Sequence, residues 1–257
     1  MNQTLATALT LMVCLSPAWA KKEAAPPERF PRYKTDGLVP KYTGEPLPNI
    51  VIFLVDDMGV MDTSVAMLTD GDGNPKRYRL NDFNRTPSME RLAEQGIRFE
   101  TFCAQINCSP SRVSILTGQN ASRHRTTKYI MLPHRIDKAM GEFAPQDWNK
   151  LGITEEMSVI PKELKAKGYR TIHVGKAHLG QQGTYGANPL NIGFDVNVAG
   201  SSRGLPHSYL GEENYGWPGK NGVFGLDEYH GTDTFLTEAL TLETKKEVKL
   251  CTEANQP

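Results

Sequence analysis

Neither sign of charge predominates in this chain, where 29 lysines and arginines stand against 29 aspartates and glutamates. That balance removes the global basic field that gathers nucleic acid, and no block of like charges marks a solvated tail. Any anion site must therefore be local. Long apolar runs are missing too. The stretch Leu5 to Leu15 is too short to span a bilayer comfortably, so no stable membrane insertion is expected. Cysteine is scarce, with four in 257 residues. No internal repeat or low-complexity tract occurs, and the length suits one globular domain or part of a larger one.

The first 20 residues have the pattern of an export signal. No charged side chain precedes Lys21, and Ala18-Trp19-Ala20 is a small-residue cleavage site. Export as a soluble periplasmic or extracellular protein is the expectation. Val13 before Cys14 is bulkier than a lipoprotein site prefers. Cleavage leaves Cys103, Cys108 and Cys251. Cys103 and Cys251 either pair or remain two separate buried thiols, and their spacing decides nothing. Residues 21–48 form an extended leader, carrying Pro26, Pro27, Pro31, Pro40, Pro46 and Pro48.

From residue 49 onward, strand and helix patterns alternate. Asn49 to Val55 is a nearly continuous β-branched and apolar run, suited to a central strand covered on both faces. Thr86, Pro87 and Gly96 punctuate a helix as cap, first-turn proline and stop. Ile97 to Cys103 alternates as a strand. Pro110 to Thr117 and Ser158 to Lys167 are helical, each closed by a glycine. Tyr169 to Val174 is a strand and Thr232 to Val248 a final helix. This order implies an α/β fold, with a mostly parallel central sheet flanked by helices. Residues 181–231, rich in Gly, Asn, Pro and aromatics, have little periodicity and are expected to be an elaborated functional loop set.

Two places carry chemistry. Asp56-Asp57 ends a strand, where open α/β sheets collect ligands. Adjacent carboxylates repel unless a cation lies between them, so the pair marks either a divalent-metal site or a solvated turn. Cys108-Ser-Pro-Ser-Arg112-Val-Ser-Ile-Leu-Thr-Gly118 sets a reactive side chain at a helix N-terminus, where unpaired N–H groups attract an anion. Arg112, one turn inside, adds a planar cationic fork.

The run from Cys108 resembles the signature of the sulfatase family, Cys-x-Pro-Ser-Arg with a following Thr-Gly. Residues 168–180, Gly-Tyr-Arg-Thr-Ile-His-Val-Gly-Lys-Ala-His-Leu-Gly, are similar to the family's second signature, with Ala177 where a tryptophan is usual. The smaller residue is expected to widen the site. Asn49 to Gly59 resembles the family's first metal segment. The resemblance implies an alkaline-phosphatase-like sulfatase catalytic domain from residue 49 to 257, lacking its later part. It implies that Cys108 is converted to Cα-formylglycine by a maturation enzyme, and that Asp56, Asp57 and position 108 hold one divalent ion, usually Ca2+. Catalysis would fall to Cys108, Arg112, Lys176 and His178. In that scheme a hydrated aldehyde attacks sulfur, metal, Arg112 and Lys176 spread the charge, and His178 helps expel sulfate. The substrate would be a sulfated small molecule or glycan, whether aryl, steroid or polysaccharide.

The family usually supplies a second metal pair and a later histidine and lysine, and none follows Val248. The chain by itself is therefore expected to be inactive or weak. A phosphonate or phosphate monoester hydrolase of the same superfamily, and a non-catalytic anion-binding fragment, are the competing readings. A phosphate loop at Gly175-Lys176 is excluded, since its first glycine would fall at Arg170. Among other histidines, His173 is expected in the core or on a sheet face. His124 stands out by closeness to the nucleophile helix, while His134, His207 and His230 have no distinguishing spacing. Asn120-Ala-Ser122 matches both a glycosylation sequon and a helix cap, and Gly193-Phe-Asp195 a structural turn.

Overall fold

The computed structural model describes residues 9–13, 44, 47–130, 148–219 and 221–257. The export segment and leader lie mostly outside these, as does His134. The described residues form two compact units, one holding residues 9–13 and 47–107, the other running from Cys108 to Pro257.

In the first unit, strands β1 (Leu9–Val13) and β2 (Ile52–Asp56) pair in parallel, Val13 opposite Asp56. The expectation that this apolar run is covered on both faces does not hold within the unit: Phe53 is 64% exposed and Val51 55%. β1 lies along an edge of β2, and edge pairing leaves side chains on the faces in solvent. Helix α1 (Arg79–Phe83) carries the buried Asn81. Its amide donates to the carbonyls of Thr63 (2.9 Å) and Val65 (3.1 Å), pinning the segment that follows the acidic pair. Helix α2 (Pro87–Gln95) has the expected cap, proline and Gly96 stop. The Thr86 hydroxyl does not bond its own helix, however. It accepts from the Ser64 N–H at 2.9 Å, while the Thr86 N–H donates to Ser64 Oγ at 3.0 Å. The strand expected over Ile97 to Cys103 is absent, and Ile97, Phe99 and Phe102 are exposed. Alternation permits a strand, but a ladder also needs a partner edge, and this segment has none among the described residues.

The second unit begins with helix α3 (Cys108–Thr117), which Gly118 ends at φ +65°. Helix α4 (Ala121–His124) is capped by the Asn120 side chain, accepting from the Ser122 N–H at 3.0 Å, so the sequon asparagine works as a cap. Helix α5 (Ile160–Ala166) precedes Gly168, whose φ of +89° supplies the left-handed stop. Strand β3 (Ile172–Val174) pairs in parallel with β4 (Val196–Val198), His173 opposite Asn197. Both strand pairs are parallel, in keeping with the α/β class.

Helix α6 (Leu236–Glu253) buries Leu236, Ala239, Glu243 and Glu247 along one stripe. Two of these are carboxylates, and each has a partner, as burial of charge requires. Glu247 meets Arg170 at 2.8 Å, and Glu243 accepts from Lys246 at 2.8 Å and Tyr229 OH at 3.1 Å. One apolar cluster joins Val196, Val198, Tyr215, Leu226, Leu236 and Ala239. A second joins Val113 of the nucleophile helix to Ile153, Val159, Ala177, Leu179 and Ile192. Ala177 is therefore a core residue, 1% exposed, and its small size serves packing against α3 rather than a wider site.

Candidate active site

Cys108 is the first residue of α3 and is half-buried, with a free thiol. Ser109, Pro110, Ser111 and Arg112 behind it are buried. The helix starts at Cys108 rather than Pro110, which keeps the cysteine beside the first-turn N–H groups. Ser109 Oγ accepts from the Ile130 N–H at 3.0 Å. At the far end of the helix, Ser114 Oγ lies 2.9 Å from His124 Nε2, and His124 Nδ1 accepts from the Thr126 N–H at 3.1 Å. With Nδ1 accepting, Nε2 carries the proton and donates to Ser114. Burial lowers the His124 pKa, which preserves this neutral form. His124 thus braces the nucleophile helix.

Arg112 connects the two sequence motifs. Its Nη1 donates to the carbonyl of Lys176, 64 positions away in sequence. Lys176 and His178 follow β3 on a loop tied down along its length. Gly175 N–H donates to Val198 O at 2.9 Å, His178 N–H to Ser201 O at 2.9 Å, and Ile153 N–H to Leu179 O at 2.9 Å. His178 has φ +51°, a left-handed conformation uncommon outside glycine and asparagine and held here by those bonds. Its ring is buried, with Nε2 2.7 Å from Ile130 O. A carbonyl only accepts, so Nε2 carries the proton and Nδ1 is the acceptor nitrogen. Any proton His178 takes goes to Nδ1.

Sequence reasoning placed His173 in the core or on a sheet face, and it does sit on β3, edge-on to Phe194 at 5.3 Å. Its position beside Arg112 had no sequence signal. Burial, and then the Arg112 charge, push its pKa down to about 4, against opposing hydrogen bonds from Asn197 and the Lys176 backbone. His173 is therefore neutral at physiological pH and adds no charge of its own beside Arg112. The turn Gly193-Phe194-Asp195 is structural, as expected. Asp195 accepts from Thr171 N–H at 3.0 Å and pairs with Lys165. A cavity of about 300 Å³ lined by Leu116, Gly118, Val159 and Leu164 lies at the opposite end of α3 from Cys108 and is no part of this site.

Asp56 and Asp57 belong to the first unit, Asp56 ending β2 and Asp57 following at φ +58°. Both are exposed. Their donor chemistry, two hard carboxylates on adjacent residues, fits a divalent cation such as calcium. Among the described residues, no three His, Cys, Asp or Glu side chains form a group able to hold a metal. Calcium takes six to eight oxygens, so the pair supplies part of a coordination shell. Cys103 is exposed and Cys251 half-buried, each within its own unit and each a free thiol.

The sulfatase family model matches residues 48–249, and the chain belongs to that family. Among characterised relatives, it is similar to N-acetylgalactosamine-6-sulfatase of Sus scrofa, 37% identical over 155 residues, covering 60% of this chain and 26% of that protein. It is also similar to arylsulfatase G of Mus musculus, 32% identical over 167 residues, covering 65% and 25% respectively. The chain thus spans about a quarter of the length of these relatives. Among solved structures, the crystal structure of Ps i-CgsB matches with a TM-score of 0.39 and 24% identity, over 60% of this chain and 33% of that one.

Proposed function

We propose that this chain carries the nucleophile, anion clamp and proton-handling histidine of a sulfuric ester hydrolase. The observation that carries the reading is the Arg112–Lys176 hydrogen bond, which joins the Cys108 helix to the Lys176–His178 loop. Oxidised to Cα-formylglycine by a maturation enzyme, position 108 supplies an aldehyde whose hydrate has a second hydroxyl through which sulfate can be expelled. Asp56 and Asp57, with position 108, are the residues that would hold one divalent ion, calcium by family usage, supplying positive charge and Lewis acidity.

The remaining work falls to the chain's own side chains. Arg112, buried and anchored to Lys176 O, offers a preoriented planar fork to a tetrahedral oxyanion. Lys176, half-buried on the adjoining loop, adds a point charge. His178 receives or returns a proton at Nδ1, its ring held by Nε2 on Ile130 O. Sulfate esters of small molecules or glycans are the proposed substrates. N-acetylgalactosamine-6-sulfatase and arylsulfatase G are named for both kinds. No helix among the described residues is long and apolar enough to cross a membrane. The proposed export rests on residues 1–20, with Ala18-Trp19-Ala20 as the cleavage site.

The test is sulfate release by the protein co-expressed with a formylglycine-generating enzyme and supplied with calcium. Aryl sulfate, a sulfated galactosamine and a sulfated galactan oligosaccharide would be compared with phosphate and phosphonate monoesters. Turnover of a sulfate ester, weak though it is expected to be for this chain by itself, that vanishes in Cys108→Ala supports the proposal. Preference for phosphate or phosphonate esters, or turnover unchanged in Cys108→Ala, refutes it.

A further inference from the structure

The turn after β4 presses two glycines against two histidine rings of the site. A side chain at Gly200 would place its Cβ 2.3 Å from Asn197 Oδ1 and 2.5 Å from His173 Nδ1. At Gly204 it would lie 2.8 Å from His178 Cε1, 3.0 Å from Nδ1 and 3.5 Å from Nε2. Gly204 is outside the left-handed region, so its backbone would accept any residue. The three atoms nearest to such a Cβ all belong to the His178 imidazole. That imidazole has little freedom to yield. His178 is 4% exposed, its backbone N–H is bound to Ser201 O at 2.9 Å in this same turn, and its Nε2 is 2.7 Å from Ile130 O.

We propose that Gly204 is a positioning residue for His178. The missing side chain at 204 leaves free the space beside the Cε1–Nδ1 edge that the ring needs to keep Nε2–H on the Ile130 carbonyl, with Nδ1 the acceptor. A β-carbon at 204 pushes on that edge and swings Nε2 away from Ile130 O. Loss of that bond removes what selects the tautomer, and proton transfer requires the acceptor nitrogen within hydrogen-bond reach of its proton. The position matters to reaction chemistry because it controls which nitrogen is basic and where it points. This deepens the sulfatase reading and rests on it for the catalytic consequence, whereas the ring contact stands independently.

The experiment compares wild type, Gly204→Ala, His178→Ala and the double variant, all as the full chain. In 15N-resolved imidazole spectra, wild-type His178 should show a protonated Nε2 and an unprotonated Nδ1. Gly204→Ala should show mixed or inverted tautomers. In thermal unfolding, Gly204→Ala should lower Tm in the wild-type background and cost nothing once His178 is alanine, because the clashing ring is gone. With a sulfate ester, kcat should fall about 10²-fold, the scale of a misplacement near 1 Å, with KM changed little. Unchanged tautomer populations, or a Tm loss equal in both backgrounds, overturn the proposal. If wild type turns over a phosphate or phosphonate monoester in preference to a sulfate ester while spectra and Tm behave as described, the sulfatase reading fails and the positioning of His178 by Gly204 stands.

Discussion

Replacing His173 by glutamine should flatten the acid limb of the protein's stability curve. Burial and the neighbouring Arg112 hold the folded-state pKa of His173 at about 4, whereas a free histidine titrates near 6.5. Between those values the unfolded chain binds a proton that the folded chain refuses. Stability from this residue is therefore complete above pH 6.5, declines as pH falls through the window, and stops changing below about pH 4. At about 1.4 kcal/mol per pH decade, the full loss is about 3 kcal/mol, with about 2 kcal/mol of it reached by pH 5. Asn197, Phe194, Arg112 and the Lys176 backbone remain around a glutamine, which carries no titrating group. The assay is urea unfolding of wild type and His173→Gln at pH 7.5, 6.0 and 5.0. Titrations shared by both proteins, including that of His124, cancel in the difference. The wild-type advantage should shrink by about 2 kcal/mol between pH 7.5 and 5.0. A difference that stays constant across this range refutes the claim that His173 is held neutral beside Arg112.

Three further outcomes are expected. Glu247→Ala leaves Arg170 buried without its 2.8 Å partner and should cost about 3–5 kcal/mol in urea unfolding, much of it recovered by also changing Arg170 to methionine. Ser114→Ala removes the acceptor for His124 Nε2 and should cost about 1 kcal/mol, read as a lower urea midpoint. Arg112→Lys keeps the charge but loses the fork and its bond to Lys176 O, so kcat/KM on a sulfate ester should fall by about 10²-fold or more.

What was legible in the sequence was local punctuation. Thr86, Pro87 and Gly96 bracket α2, and Gly118 and Gly168 close α3 and α5, because caps and left-handed stops are properties of single residues. β4 was hidden, since the alternation Val196-Asn197-Val198 is only three residues long and lies inside a tract of Gly and Asn. The strand expected over Ile97 to Cys103 shows the opposite failure, where alternation is present and a partner edge is lacking. Thr232 to Phe235 had the composition of the final helix, yet Tyr229 O and Tyr209 O draw backbone N–H groups there, and α6 begins at Leu236. Within the site, the residue types of both motifs could be read. The bond between them could not, because Lys176 and Ile130 take part through carbonyl oxygens, which every residue possesses. The same holds for Gly204, whose contribution is an absent side chain.

The most direct measurement is the mass of the peptide containing position 108, after co-expression with a formylglycine-generating enzyme. Conversion of the thiol to an aldehyde lowers that mass by about 18 Da, and the account predicts this shift together with reaction towards a hydrazide probe. A peptide that keeps the full mass of cysteine under those conditions contradicts the assignment of Cys108 as the nucleophile's precursor.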